Sequence, residues 1–142
     1  GTVLEPIGLP VQYAVLLCPN QHVSTPAVYQ RYDDIGVFTT PLPAKAPLWL
    51  SPEEAVDGIT ALGNDLTAAA ISLCREVGSG LEMLSEANPW YTAMSGSGAS
   101  VFAVTKTQRE ARILAGRLLP YYPTWWASSA RLDHVDVAVH SA

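Results

Sequence analysis

A serine or threonine stands three residues ahead of a glutamate in Ser51 with Glu54, Ser79 with Glu82, and Thr107 with Glu110. In that spacing the hydroxyl accepts an orphan N–H of the first helical turn, and the carboxylate reaches back to an amide at the cap. Each pair marks a helix start, so the rest of the chain has to fit around three fixed helix origins. Pro52 strengthens the first, because its ring pre-sets the helical φ where its missing N–H costs nothing. A further start lies in "HVSTPAVY", where Ser24 or Thr25 caps a short helix with Pro26 in its first turn.

Between these origins the periodicity changes. Val11, Tyr13, Val15 and Leu17 alternate with Gln12, Ala14, Leu16 and Cys18, and both sets are mostly apolar. That pattern predicts an interior strand covered on both faces, ended by Pro19-Asn20. The stretch from Ile35 to Leu50 holds Pro41, Pro43 and Pro47 and reads as a loop. After Ser51, the residues Ile59, Leu62, Leu66, Ala69, Leu73 and Val77 recur every three or four positions, as one helix face does. Asn64 offers a restart cap within that helix, Gly78 and Gly80 interrupt it, and Ser79 opens the next, which Asn88-Pro89 stops. "WYTAM" and "ASVFAVT" are strand-like runs on either side of a Gly/Ser turn, a hairpin. Pro120 and Pro123 end the helix opened by Thr107, and "WWASSARL" closes the chain as strand, with "HVDVAVH" a further candidate. The order strand, helices, strand, strand, helix, strand predicts an α+β fold: a ferredoxin-like βαββαβ antiparallel sheet with extra helices inserted in the first crossover.

Composition narrows the function classes. A chain of 142 residues with 49% hydrophobic and 15% charged residues reads as one globular domain. The net charge is −5 and the lysines are Lys45 and Lys106 alone, without a basic cluster, which argues against a nucleic-acid or anionic-membrane partner. Apolar runs such as Tyr13 to Cys18 are too short to cross a bilayer, and no secretory signal opens the sequence. Cys18 and Cys74 have no motif spacing and read as buried thiols of a cytoplasmic protein. No metal-ligand spacing appears, and nothing in the sequence places His22, His134 or His140 beside a serine nucleophile. The start at Gly1, close to a structured-looking segment, points to a piece of a longer protein.

The stretch "MSGSGASVF", Met94 to Phe102, is the chemically suggestive one. No lysine follows it, as a phosphate loop requires, and it lacks the third glycine and the strand–turn–helix setting of a dinucleotide fingerprint. It is one residue short of a nucleophile elbow. Taken alone, it fits a tight hairpin whose glycines adopt positive φ.

Taken in order, "HVSTPAVY" after the first strand, "GNDLTAAA" at a helix head and "MSGSGASVFAV" between two strands resemble the carboxy-terminal half of the GHMP small-molecule kinases. Within that superfamily the likeness is to the 4-diphosphocytidyl-2-C-methyl-D-erythritol kinases, and it runs from about Val11 to about Leu132. The tail after Asp133 has no counterpart. The resemblance implies an ATP- and Mg²⁺-dependent transfer of a phosphoryl group to the 2-hydroxyl of a cytidyl-erythritol, a step of non-mevalonate isoprenoid biosynthesis. It implies that residues 1–142 are the substrate-side domain and that the ATP-binding domain is missing, with its glycine/serine phosphate loop, lysine and catalytic aspartate. Neither Asp65 nor Asp133 stands where that aspartate would, so no catalytic residue, metal or cofactor is assigned to this chain, which alone is expected to be inactive.

Carried over residue by residue, Thr25, Pro26 and Tyr29 fall on the wall of the cytidine pocket, with Tyr29 where an aromatic ring stacks on cytosine. Ser95, Gly96, Ser97, Gly98 and Ala99 fall on the glycine-rich loop that leans toward the nucleotide lobe. Asn64 and Asp65 match an Asn-Asp-Leu motif, either as a helix cap or as a ligand contact. The implied partners are the missing kinase domain and the small-molecule substrate. The face bared by the missing domain would be apolar and open to self-association. The alternatives are another GHMP kinase, acting on homoserine, mevalonate or a sugar, and a stand-alone ferredoxin-like module that binds a ligand or dimerises. An in-frame glycine/serine loop upstream in the gene separates the kinases from the module.

Overall fold

The strand read from the Val11 alternation forms at Gln12–Pro19 (β1) and lies inside a four-stranded sheet. The structure is a computed structural model that describes residues 10–36, 48–121 and 124–133. The proline-rich centre of the expected loop, Pro123 and the "HVDVAVH" tail lie outside the described residues. The remaining strands are Tyr91–Met94 (β2), Val101–Thr105 (β3) and Trp125–Leu132 (β4), in the spatial order β2-β3-β1-β4. Every neighbouring pair is antiparallel, with Leu17 opposite both Val101 and Ala127, and Met94 opposite Val101. The helices are Thr25–Ile35 (α1), Pro52–Leu62 (α2), Thr67–Leu73 (α3), Arg75–Ser85 (α4) and Gln108–Arg117 (α5). Among the described residues the chain therefore runs βαββαβ with four helices in the first crossover, as the sequence order predicts.

Period-two alternation decides what the sheet buries. Val15 and Leu17 on β1 share a face with Val101 and Ala103 of β3 and Met94 of β2, and all five are buried in one cluster. Val77 and Leu84 of α4 and Ala111 and Leu114 of α5 complete that cluster. On the opposite face Ala14 and Val104, paired across β1 and β3, are buried as well. This agrees with a first strand whose two faces are both apolar.

Two of the three capping boxes are helix starts. Ser51 accepts from the Glu54 amide at 3.2 Å and Thr107 from the Glu110 amide at 3.1 Å. The carboxylates reach one residue beyond the cap: Glu54 takes the Leu50 amide at 2.9 Å and Glu110 the Lys106 amide at 3.1 Å. The third box is not a start. Ser79 lies inside α4, and its hydroxyl donates to the Arg75 carbonyl one turn back, at 3.4 Å.

The helical stretch expected from Ser51 through Val77, with a restart at Asn64, is broken near that restart and again at Cys74, and not at Gly78 and Gly80. The first break follows the α2 C-cap, Gly63, which takes φ +65°. The second is at Cys74, in extended conformation between α3 and α4. Gly78 and Gly80 continue α4, and Gly80 has a packing reason to be glycine. A Cβ there would lie 2.9 Å from Val101 Cγ2 and 3.1 Å from the Trp125 ring, so its absence lets α4 approach the sheet closely.

Candidate functional site

The hairpin loop between β2 and β3 and the start of α1 meet at one end of the sheet. The loop closes on itself through the Ser95 amide to the Ser100 carbonyl, 2.9 Å, and the Gly98 amide to the Ser95 carbonyl, 3.0 Å. Gly96 and Gly98 hold φ +57° and +92°, a region that favours glycine, and the Gly98–Ala99 peptide is cis. The two glycines differ in surroundings. A Cβ on Gly96 would meet nothing within 4 Å. One on Gly98 would meet Met94 Sδ at 3.0 Å, Val77 Cγ2 at 3.6 Å and Ala70 Cβ at 3.7 Å. Gly98 is thus small because its own domain packs beneath it, while Gly96 has open space on its outer side.

The opposing wall is the first turn of α1. Pro19 ends β1, and the Asn20 amide is held by the Thr124 carbonyl at 2.9 Å. Ser24 then caps α1 by accepting from the Ala27 amide at 3.4 Å, with Pro26 in the first turn where its ring is tolerated. This leaves the neighbouring hydroxyl, Thr25, free of capping duty. It lies 2.9 Å from the Ser97 hydroxyl, across 72 residues of sequence. Two residues from motifs far apart in sequence, the first turn of α1 and the Gly/Ser loop, are thereby brought into contact. One hydrogen bond between two hydroxyls uses one proton, so the second remains available to a ligand. Tyr29, one turn beyond Thr25 on the same face of α1, is 54% exposed and presents its ring to solvent. At the edge of the loop, Cys18 Sγ and Ser100 Oγ are 3.1 Å apart.

Asn64 carries a role that its sequence position conceals. Its Oδ1 accepts at 3.0 Å from the amide of Leu66, the residue that caps α3, and its carbonyl accepts from the Thr67 hydroxyl at 2.9 Å. Its Nδ2 donates to two carbonyls of the hairpin, Met94 and Gly96, each at 2.9 Å. Asp65, the other half of the motif, is exposed. The sequence signal was an Asn-Asp-Leu triplet at a helix head, which specifies the cap and is silent about a reach of thirty residues to the loop.

The remaining reactive groups lie apart from this corner. Cys74 is buried and donates to Glu76 Oε2 at 3.3 Å; burial first, then that hydrogen bond, raises its thiol above the ordinary range. His22 is exposed, and the side-chain partner of Ser97 is Thr25. Among the described residues no group of three His, Cys, Asp or Glu side chains is placed to hold a metal ion, and no helix is long and apolar enough to cross a membrane. Two clefts, of about 250 and 210 Å³, lie between α5 and the segment that follows α4, both lined by Ala87, Leu114 and Arg117, and share no residue with the loop.

Residues 51–123 match the family described as GHMP kinases C terminal. The chain is 36% identical over 138 residues to the 4-diphosphocytidyl-2-C-methyl-D-erythritol kinase of Cereibacter sphaeroides, covering 93% of this chain and 48% of that protein. It is 38% identical over 131 residues to the kinase of the same name from Caulobacter vibrioides, covering 88% of this chain and 44% of the relative. A crystal structure of 4-(cytidine 5'-diphospho)-2C-methyl-D-erythritol kinase superposes with a TM-score of 0.61 at 26% identity, over 88% of this chain and 45% of the other. The chain spans about half the length of the curated relatives it matches.

Proposed function

This chain belongs to the GHMP kinase C-terminal family, and from that premise we propose that it is the substrate-side half of an ATP-dependent kinase acting on the 2-hydroxyl of 4-diphosphocytidyl-2-C-methyl-D-erythritol. The names of its relatives support the substrate class. The observation that carries the proposal for this chain is the 2.9 Å contact between Thr25 and Ser97, which joins the pocket wall to the Gly/Ser loop.

In this reading Tyr29 stacks on the cytosine, where an exposed flat ring contributes about 1–3 kcal/mol per base. Thr25 and Pro26 form the adjoining wall, and the hydroxyls of Thr25 and Ser97 orient the polar part of the substrate. Ser95 to Ala99 face the second half of the enzyme, with Gly96 offering the open side toward it. ATP and Mg²⁺ are assigned to that second half, which supplies the transferred phosphoryl group and neutralises its charge. What this half contributes is position. Holding the acceptor hydroxyl in a near-attack geometry converts an encounter between two molecules into a step within one complex.

The test uses the complete protein with ATP, Mg²⁺ and the cytidyl-erythritol, following ADP release. Turnover in the ordinary kinase range of about 1–100 per second is expected, with none toward homoserine or mevalonate and none from the 142-residue chain alone. Preference for homoserine or mevalonate, or comparable turnover by the isolated chain, refutes the proposal.

A further inference from the structure

We propose that Asn64 is the positioning residue that clasps the Gly/Ser loop and fixes it against the α1 wall. A helix cap needs only an acceptor, and aspartate or serine serves as well as asparagine. Here both halves of the amide are engaged. Oδ1 takes the Leu66 amide at the head of α3, while Nδ2 spans the carbonyl that ends β2 and the Gly96 carbonyl in the loop. The network also fixes the orientation of the amide. A flipped side chain would set oxygen against two carbonyl oxygens and NH₂ against an N–H. The donor half contributes nothing to capping, so its function is in the loop.

The geometry explains why such a clasp matters. With φ of +57° and +92° at its two glycines, the loop backbone is intrinsically permissive. Its internal bonds, at Ser95 and Gly98, close the turn but do not fix its direction relative to α1. Asn64 anchors Gly96, the residue directly before Ser97, and Ser97 then meets Thr25 at 2.9 Å. Because Asn64 is also bound to the start of α3, the loop is tied to the helical layer and to α1 at once. The clasp itself stands on these contacts; its consequence for turnover rests on the kinase reading above.

Asn64→Asp separates the two roles. The carboxylate still accepts from Leu66 but faces the Met94 and Gly96 carbonyls without a proton to give. Thr67→Val is the complementary control, removing a bond to the Asn64 carbonyl and leaving the amide in place. Hydrogen exchange at the Ser95 and Gly98 amides of the 142-residue chain reads the loop directly. Asn64→Asp is expected to speed that exchange by about tenfold or more, a factor equivalent to about 1.4 kcal/mol, with the melting temperature lowered by only the few degrees that this loss accounts for. Thr67→Val is expected to lower the melting temperature and leave loop exchange within about twofold of the parent. In the complete protein Asn64→Asp is expected to lower kcat by about tenfold and leave the KM for ATP unchanged. Unaltered loop exchange in Asn64→Asp overturns the clasp, and faster exchange with parental kcat overturns its role in positioning. If the complete parental protein phosphorylates no cytidyl substrate, the kinase reading fails, and the exchange result alone decides the clasp.

Discussion

Gly98→Val separates packing from close approach in the hairpin loop. Gly98 holds φ +92°, and forcing a β-branched residue into such a region costs about 1–3 kcal/mol. The added side chain also starts 3.0 Å from Met94 Sδ and 3.6 Å from Val77 Cγ2. Overpacking of this kind adds about 1–3 kcal/mol, and the flexible thioether of Met94 keeps it toward the low end. The sum, about 2–5 kcal/mol, is a large part of the 5–15 kcal/mol that roughly spans domain stabilities. Gly96→Ala is the matched comparison. It meets nothing within 4 Å and carries only the left-handed backbone penalty of about 1–2 kcal/mol. Urea unfolding of both variants, followed by tryptophan fluorescence, gives the two losses directly. Gly98→Val is expected to lose at least about twice as much as Gly96→Ala. In the complete protein Gly96→Ala is expected to lose more turnover than its folded fraction explains, because the proposed arrangement turns its open side toward the second half. Equal stability losses refute the packing assigned to Gly98. Parental turnover per folded molecule in Gly96→Ala refutes close approach at Gly96.

Two further outcomes follow from local contacts. Thr107→Ala removes the acceptor of the Glu110 amide and is expected to cost about 0.5–2 kcal/mol, whereas Ser79→Ala, inside α4, is expected to stay within about 0.5 kcal/mol of the parent; comparable losses by chemical denaturation would restore Ser79 as a cap. The raised pKa of Cys74 means that the folded chain holds the thiol proton more tightly than the unfolded chain does. Its contribution is complete below the unfolded thiol pKa of about 8.5 and is lost as pH rises through the folded value. From pH 7 to 10 the parent should therefore lose more stability than Cys74→Ala, and parallel profiles would contradict the assignment.

What could be read in the sequence was what acts locally. Ser51 and Thr107 are legible as caps because hydroxyl, amide and carboxylate lie within four residues of one another. The interior position of β1 is legible because both sets of alternating residues are apolar. Ser79 misled because the same four-residue pattern fits the middle of a helix, and only the sheet explains Gly80: its missing side chain makes room for Val101 and Trp125. The break at Cys74 carries no glycine or proline to announce it. At the site, Ser24 as cap and Pro26 in the first turn follow from local rules. The meeting of Thr25 with Ser97, and of Asn64 with Gly96, depends on how the sheet brings a helix start and a distant hairpin to one corner. Family resemblance drew attention to these segments, but only the folded chain supplies the contacts.

The central claim is that this half of the enzyme recognises the cytidyl group, and Tyr29 tests it most directly. The measurement is the dissociation constant of the cytidyl-erythritol, alongside that of ATP, for the complete protein and its Tyr29→Ala and Tyr29→Phe forms. The ring is 54% exposed and is assigned to stacking, so its truncation has little of the core to disturb. Tyr29→Ala is expected to weaken the cytidyl ligand by about 1–3 kcal/mol, roughly 5- to 150-fold. Tyr29→Phe, which keeps the flat face, is expected to bind nearly as the parent does, and ATP affinity should be unchanged in both. Equal weakening by alanine and phenylalanine, or a loss of ATP affinity in place of cytidyl affinity, would contradict the account.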